Sequence, residues 1–329
     1  MADVKAAGVP VREFEMTGSY MAKVRALRRL RQAIRTSDAD VIHAWMYHSA
    51  LLAFLFARNR RRVVIAIHHT NPFDAGLPRA TRLIALGCLL VSRSAGAVVY
   101  VAEAVKSRHE RVGFSNRISP IVQIGVDETN VMPATPSTRA QSRRLFGLSE
   151  DSIVVVHVAR YHHDKDQATL LEAFGRALTK VPELQLLVVG RELDPTNKEM
   201  VRLVALHGIE DNVALIGELD STLQAFHAAD IFCLSSLTEA FPVSLVEALQ
   251  CGLVPVVTDV GECRAIVEEV GFVVPPNSPQ DLADALVKAT IPAASRSTTS
   301  IRTQGLKYGL SRMCDEYQGV YTKMVSADS

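Results

Sequence analysis

Short, unbroken apolar runs alternate along this chain with longer stretches in which apolar residues recur every third or fourth position. The runs are Asp40-Val41-Ile42-His43, Val63 to His68 and Ala97 to Val101 in the first part. In the second part they are Ile153 to Val158, Leu184 to Val189, Val213 to Ile216, Ile231 to Ser235, Val254 to Thr258 and Gly271 to Val274. Rich in Val and Ile and lacking polar alternation, they predict strands buried on both faces, as in parallel sheets. The intervening segments carry helical spacing. Met21, Val24, Leu27, Leu30 and Ile34 line one face of a predicted helix, and a second helix is expected from about Gln167 to Lys180. Strand and helix in alternation imply βαβ units. The Pro-, Thr- and Ser-rich stretch Met132-Pro133-Ala134-Thr135-Pro136-Ser137-Thr138 is the expected linker between two such domains, 1–130 and 131–305. The fold class is α/β: two Rossmann-like domains with parallel sheets facing a cleft.

Composition narrows this picture. The chain's 329 residues, 48% of them hydrophobic, suffice for two cores. The most lipid-like pieces, Ala50 to Ala57 and Leu83 to Val91, are shorter than a bilayer helix and read as buried helix faces. Met1-Ala2-Asp3-Val4-Lys5 lacks the apolar core of a signal peptide. Cys88, Cys233, Cys251, Cys263 and Cys314 are scattered, without Cys-x-x-Cys spacing, and read as packed thiols in a reducing cytosol rather than as metal or redox groups. The expected location is therefore cytoplasmic. Net charge, +1 overall, conceals an asymmetry: residues 1–130 hold 19 Lys and Arg against 10 Asp and Glu, while the remainder holds 17 against 25. The basic residues gather in Lys23 to Arg35 and in Arg58-Asn59-Arg60-Arg61-Arg62. Such a face suits anionic lipid headgroups at the inner side of a membrane. No aromatic platform or recognition motif accompanies it, so nucleic acid is not the expected partner.

The chemistry gathers in the second half. In Glu239-Ala-Phe241-Pro242-Val243-Ser244-Leu-Val-Glu247, proline suits a helix's first turn. Glu239 then falls in the entering loop and Glu247 one to two turns inside the helix. The amides of Val243 and Ser244 would point from the helix N-terminus, where an anion is favoured. Amides for phosphate and carboxylates for hydroxyls are what a sugar phosphate needs. A second cluster, Val158-Ala-Arg160-Tyr-His-His-Asp-Lys165, follows the first strand of the second half, placing cations where parallel sheets bind ligands. Arg and Lys there can neutralise a diphosphate leaving group without a metal.

The acidic spacing resembles the E-x7-E signature of retaining GT-B glycosyltransferases, most closely glycosyltransferase family 4, and Arg160 to Lys165 resembles that family's Gly-Arg…Lys turn. The resemblance covers essentially the whole chain and is strongest from Ile153 to Val274. It implies a GT-B fold whose C-terminal helix, 306–329, returns to the first domain. It also implies transfer of a sugar from a nucleoside diphosphate-sugar to a saccharide or lipid-linked acceptor, in cell-surface polysaccharide or glycolipid synthesis. Arg160 and Lys165 would grip the diphosphate with the backbone of Phe241, Pro242, Val243 and Ser244. Glu239 would hold the sugar hydroxyls and Glu247 the ribose. His68, with His69 as the alternative, would stand beside the donor sugar. Glu103, in Val101-Ala102-Glu103, resembles the family's Ser-Glu turn and is read as structural. No cofactor and no metal are implied. Members usually open with a strand and a glycine-rich loop, whereas Ala7-Gly8-Val9-Pro10-Val11 resembles the segment after them, so the first domain is expected to be N-terminally incomplete. Two other readings share the cleft: a nucleotide-sugar epimerase, and a non-catalytic nucleotide-sugar-binding protein.

Overall fold

The computed structural model describes residues 7–73, 76–291 and 298–328. The first domain contains α1 (Tyr20–Thr36), β1 (Ile42–Trp45), α2 (Met46–Phe56), β2 (Val63–Ile67), α3 (Arg79–Ser92), β3 (Ala97–Tyr100) and α4 (Glu103–Arg111). Next come α5 (Pro136–Leu145), β4 (Ile153–Val158), α6 (Gln167–Leu178), β5 (Leu184–Val189), α7 (Lys198–Leu206), β6 (Val213–Gly217), α8 (Leu223–Ala228) and β7 (Ile231–Leu234). The chain continues through α9 (Val243–Gln250), β8 (Val254–Thr258), α10 (Cys263–Val267), β9 (Phe272–Val274), α11 (Pro279–Thr290), α12 (Thr298–Leu306) and α13 (Leu310–Asp328).

Both sheets are parallel. The first runs β1-β2-β3 and the second β6-β5-β4-β7-β8-β9. The unbroken Val and Ile runs are buried as their composition requires; every residue of Val63–Ile67 is buried. In β2, alternate side chains face opposite layers. Val63, Ile65 and Ile67 pack with Tyr47 and Phe54 of α2, while Val64 joins Ala97 and Val99 against Tyr317, Val320 and Met324 of α13. The C-terminal helix thus covers one face of the first sheet. The chain returns there beside Val126, whose N–H donates to the Tyr308 carbonyl at 3.0 Å and whose carbonyl accepts from the Leu310 N–H at 2.9 Å.

The order of the second sheet matters for function. Crossovers leave β4 in one direction towards β5 and β6, and in the other towards β7, β8 and β9. The connections from β4 and β7 leave in opposite directions there, and the carboxyl ends of strands at such a point are where parallel α/β sheets bind ligands. Those two loops hold the candidate residues.

The expected linker is shorter than its composition suggested. Pro136, Ser137 and Thr138 form the first turn of α5, with Pro136 at its start. Thr135 accepts from the Thr138 N–H at 3.2 Å while Thr138 accepts from the Thr135 N–H at 2.8 Å, a reciprocal cap. Residues that favour loops also start helices, and the sequence pattern did not separate the two. Of the thiols, Cys88, Cys233, Cys251 and Cys263 are buried, but Cys314 is exposed. Among the described residues, no helix is long and apolar enough to cross a membrane.

Candidate functional site

After β4 the chain keeps its pairing with β5's continuation: the Ala159 N–H donates to Val189 at 3.0 Å and the Tyr161 N–H to Arg191 at 2.9 Å. Gly190 permits this approach, since a Cβ there would lie 1.7 Å from the Ala159 carbonyl oxygen. The loop then turns through His162–Lys165 into α6, where the Asp166 carboxylate caps the helix by accepting from the Thr169 N–H at 3.3 Å. Gln167 donates from Nε2 to the Arg160 carbonyl at 3.0 Å, fixing that backbone while the Arg160 side chain stays exposed. Its guanidinium has no ion-pair partner among the described residues.

The loop after β7 is tied to this one. The Leu237 N–H donates to the Asp164 carbonyl at 2.8 Å, and Ser235 Oγ to the Lys165 carbonyl at 2.8 Å. Lys165 Nζ then meets Glu239 Oε1 at 2.5 Å, and Ser236 Oγ donates to the same oxygen at 2.7 Å. Thr258, on β8, pins the Ser236 carbonyl at 2.6 Å. Glu239's side chain is only 9% exposed and Lys165's 21%, so the pair is largely withdrawn from water. Glu239 Oε2 takes no hydrogen bond among the described residues.

Pro242 occupies the N-cap rather than the first turn, and α9 begins at Val243. Phe241 is buried, 5.7 Å from the Tyr308 ring, so the side chain belongs to the core and only its backbone can face a ligand. Val243 and Ser244 are half-buried, their amides free of intrahelical acceptors as at any helix start. Glu247 lies on the second turn, half-buried, its carboxylate with no hydrogen-bond partner among the described residues. Burial pushes its carboxyl from the ordinary 4.5 up to about 7.

That shift carries a sign. Between pH 4.5 and 7 the native state holds more of this proton than the unfolded chain, so stability falls as pH rises through that window. The loss reaches roughly 3 kcal/mol at about 1.36 kcal/mol per pH unit. Thermal melts of the wild type and Glu247→Gln across pH 4 to 8 are expected to diverge steadily in the variant's favour. Parallel curves would contradict the burial argument.

The histidines occupy the carboxyl end of the first sheet. His68 follows β2 and packs against Trp45, with ring centroids 4.8 Å apart, on the same aromatic row as His43. His69 points to the other face and stacks on Tyr47 at 4.5 Å. Burial, then the neighbouring His69, lowers the His68 imidazole to about 4, so it is neutral at physiological pH. Thus Arg160, Lys165, Glu239, the 241–244 backbone and Glu247 share the carboxyl edge of the second sheet. His68 sits at that of the first, with Trp45 as its ring neighbour. Sequence reasoning missed Ser236 and Thr258, which hold Glu239's loop; their Ser and Thr identities gave no signal because they read as strand ends.

Two family models match the chain: Glycosyltransferase Family 4 over residues 4–130 and Glycosyl transferases group 1 over residues 138–293. The chain is 30% identical to the D-inositol 3-phosphate glycosyltransferase of Kribbella flavida, over 86% of this chain and 70% of that one. It is 23% identical to the N-acetyl-alpha-D-glucosaminyl L-malate synthase of Bacillus anthracis, over 73% of this chain but only 62% of that protein. In fold it resembles Anabaena Alr3699/HepE solved with UDP-glucose, at a TM-score of 0.83 and 21% identity, covering 99% of this chain and 88% of that one. It resembles sucrose-phosphate synthase from Thermosynechococcus elongatus at a TM-score of 0.78 and 18% identity, covering 97% and 81%. The architecture is that of the GT-B class. The chain belongs to the family of glycosyl transferases group 1 and glycosyltransferase family 4.

Proposed function

We propose that the protein moves a sugar from a nucleoside diphosphate-sugar to a saccharide or lipid-linked acceptor, with retention of anomeric configuration and without a metal. The observation that carries this reading is the pairing of Glu239 and Glu247 around a helix N-terminus at the carboxyl edge of the second sheet. Glu247 is half-buried and its carboxylate has no hydrogen-bond partner among the described residues, a poor arrangement for an empty protein and a suitable one for a carboxylate that receives ribose hydroxyls. Glu239 keeps Oε2 free for the sugar's hydroxyls while Oε1 holds Lys165 in place. The diphosphate would lie against the amides of Val243 and Ser244, with Arg160 and Lys165 compensating the charge that grows as the glycosidic bond breaks. His68, neutral, would approach the sugar from the first domain as a hydrogen-bonding group rather than a cation. The departing phosphate would take the acceptor's proton, so no covalent nucleophile is needed. The UDP-glucose in the solved Anabaena relative and the inositol phosphate in the name of the Kribbella relative are in keeping with this donor and with a hydroxyl acceptor. The test is product analysis with UDP-, GDP- and ADP-sugars and added acceptors. Proton spectra showing the donor's anomeric configuration in the product support retention; an inverted product contradicts it.

The acceptor side of the proposal includes an anionic membrane surface. Lys23, Arg25, Arg28, Arg29, Arg31 and Arg35 are exposed on α1, which begins with Tyr20 79% and Met21 60% exposed. Cosedimentation with vesicles should rise with anionic lipid and fall with salt, at about 1 kcal/mol per basic residue near the surface. Equal partitioning to neutral and anionic vesicles would remove the membrane from the account.

A further inference from the structure

α4 begins without a cap of its own. Its N-cap residue is Ala102, which offers no side-chain acceptor. A helix start buried without a partner for its N–H groups is costly, and the partner here comes from the other domain. Glu262 Oε1 accepts from the Glu103 N–H at 3.1 Å. The Glu262 residue is only 8% exposed, so this carboxylate at a positive helix end is shielded from water.

The loop that carries Glu262 also touches the candidate site. Gly261 adopts φ +54°, and a Cβ there would lie 2.3 Å from the Glu239 carbonyl oxygen. The backbone of Gly261 is therefore seated directly on that of Glu239 and Ala240. Asp259 and Arg264 brace the same loop with an ion pair of 2.6 Å. Glu262 thus links the first domain's α4 to the backbone beneath Glu239. The chain crosses between domains elsewhere, at Val126 and at Tyr308–Leu310.

Resting on the glycosyl-transfer reading above, we infer that Glu262 is a positioning residue: by capping α4 across the cleft, it holds the first domain in register with Glu239 for reaction. It touches neither donor nor acceptor. Arg160, Lys165, Glu239 and Glu247 all belong to the second domain, so donor binding should survive its loss while alignment with first-domain groups should not.

The experiment compares wild type, Glu262→Ala, Glu262→Gln, and Glu262→Ala combined with Ala102→Ser. In Glu262→Ala, turnover is expected to fall about 10- to 100-fold, the range for small misplacements of reacting groups. Nucleoside diphosphate binding by calorimetry should stay within about twofold. Amide exchange over residues 103–111 should quicken, and the radius of gyration from X-ray scattering should increase. Glu262→Gln keeps a carbonyl acceptor for the Glu103 N–H and should restore most turnover. Ala102→Ser supplies a local cap; it should restore protection of α4 but not turnover. Full recovery of turnover by Ala102→Ser would reduce Glu262 to a helix cap and overturn the inference, as would unchanged exchange and scattering in Glu262→Ala. If the wild type transfers no sugar, the functional reading fails, while exchange and scattering still decide whether the link between domains exists.

Discussion

Replacing Glu247 by alanine is expected to abolish detectable donor use and, at neutral pH, to make the protein more stable. The two effects have opposite signs for one reason. Glu247 is half-buried without a partner, and its carboxyl is raised to about 7. An ionised group in that position costs the empty protein free energy, which alanine relieves. With donor bound, the carboxylate would accept two ribose hydroxyls, each hydrogen bond to a charged group being worth roughly 1.5–3 kcal/mol. Loss of both weakens nucleotide binding by roughly 10²- to 10⁴-fold. A simple folding defect lowers both quantities together, so the combination of a higher melting temperature and lost binding is diagnostic. Calorimetric titration with a nucleoside diphosphate beside a thermal melt at pH 7.5 reads both. Retained affinity would mean that Glu247 faces no ligand.

The second large effect is at Lys165. Changing it to methionine removes the partner of a carboxylate that is 9% exposed and leaves Ser236 as that carboxylate's remaining donor. Breaking one side of a buried pair typically costs about 3–5 kcal/mol, and the partial exposure of Lys165 places this case at about the lower end. Turnover should fall about 10²- to 10³-fold, the loss seen when one preorganised electrostatic donor is removed. The double variant Lys165→Met with Glu239→Gln separates the two consequences. Neutralising the stranded carboxylate should recover much of the denaturation midpoint while turnover stays lost, since both Lys165 and Glu239 are proposed to meet the donor. Wild-type turnover in Lys165→Met would exclude it from the donor site.

Several of these features were legible in the amino-acid sequence because they depend on neighbours in the chain. The Val and Ile runs announced both parallel sheets, and Pro242 between Glu239 and Glu247 announced a strand-loop-helix turn. What depends on distant residues was not. Lys165 and Glu239 are separated by three intervening strands in sequence, and nothing local signals that the ammonium seeks that carboxylate. Phe241 was grouped with the donor-binding backbone, but its ring fills core space beside Tyr308. His68 packs on Trp45 and His69 on Tyr47, contacts with other elements that two adjacent histidines do not announce. Thr135-Pro136 looked like linker because a helix cap and a loop use the same residues. Glu262 reads as an ordinary surface charge until α4, more than a hundred positions earlier, is seen to start at an alanine.

The measurement that tests the central claim most directly is a donor-hydrolysis screen of the purified chain against UDP-, GDP- and ADP-sugars, with Glu247→Ala alongside. Release of one nucleoside diphosphate by the wild type and not by the variant is the predicted result, and it would name the base. Silence across the panel with binding still visible by calorimetry would contradict a working transferase and leave a nucleotide-sugar-binding protein in its place.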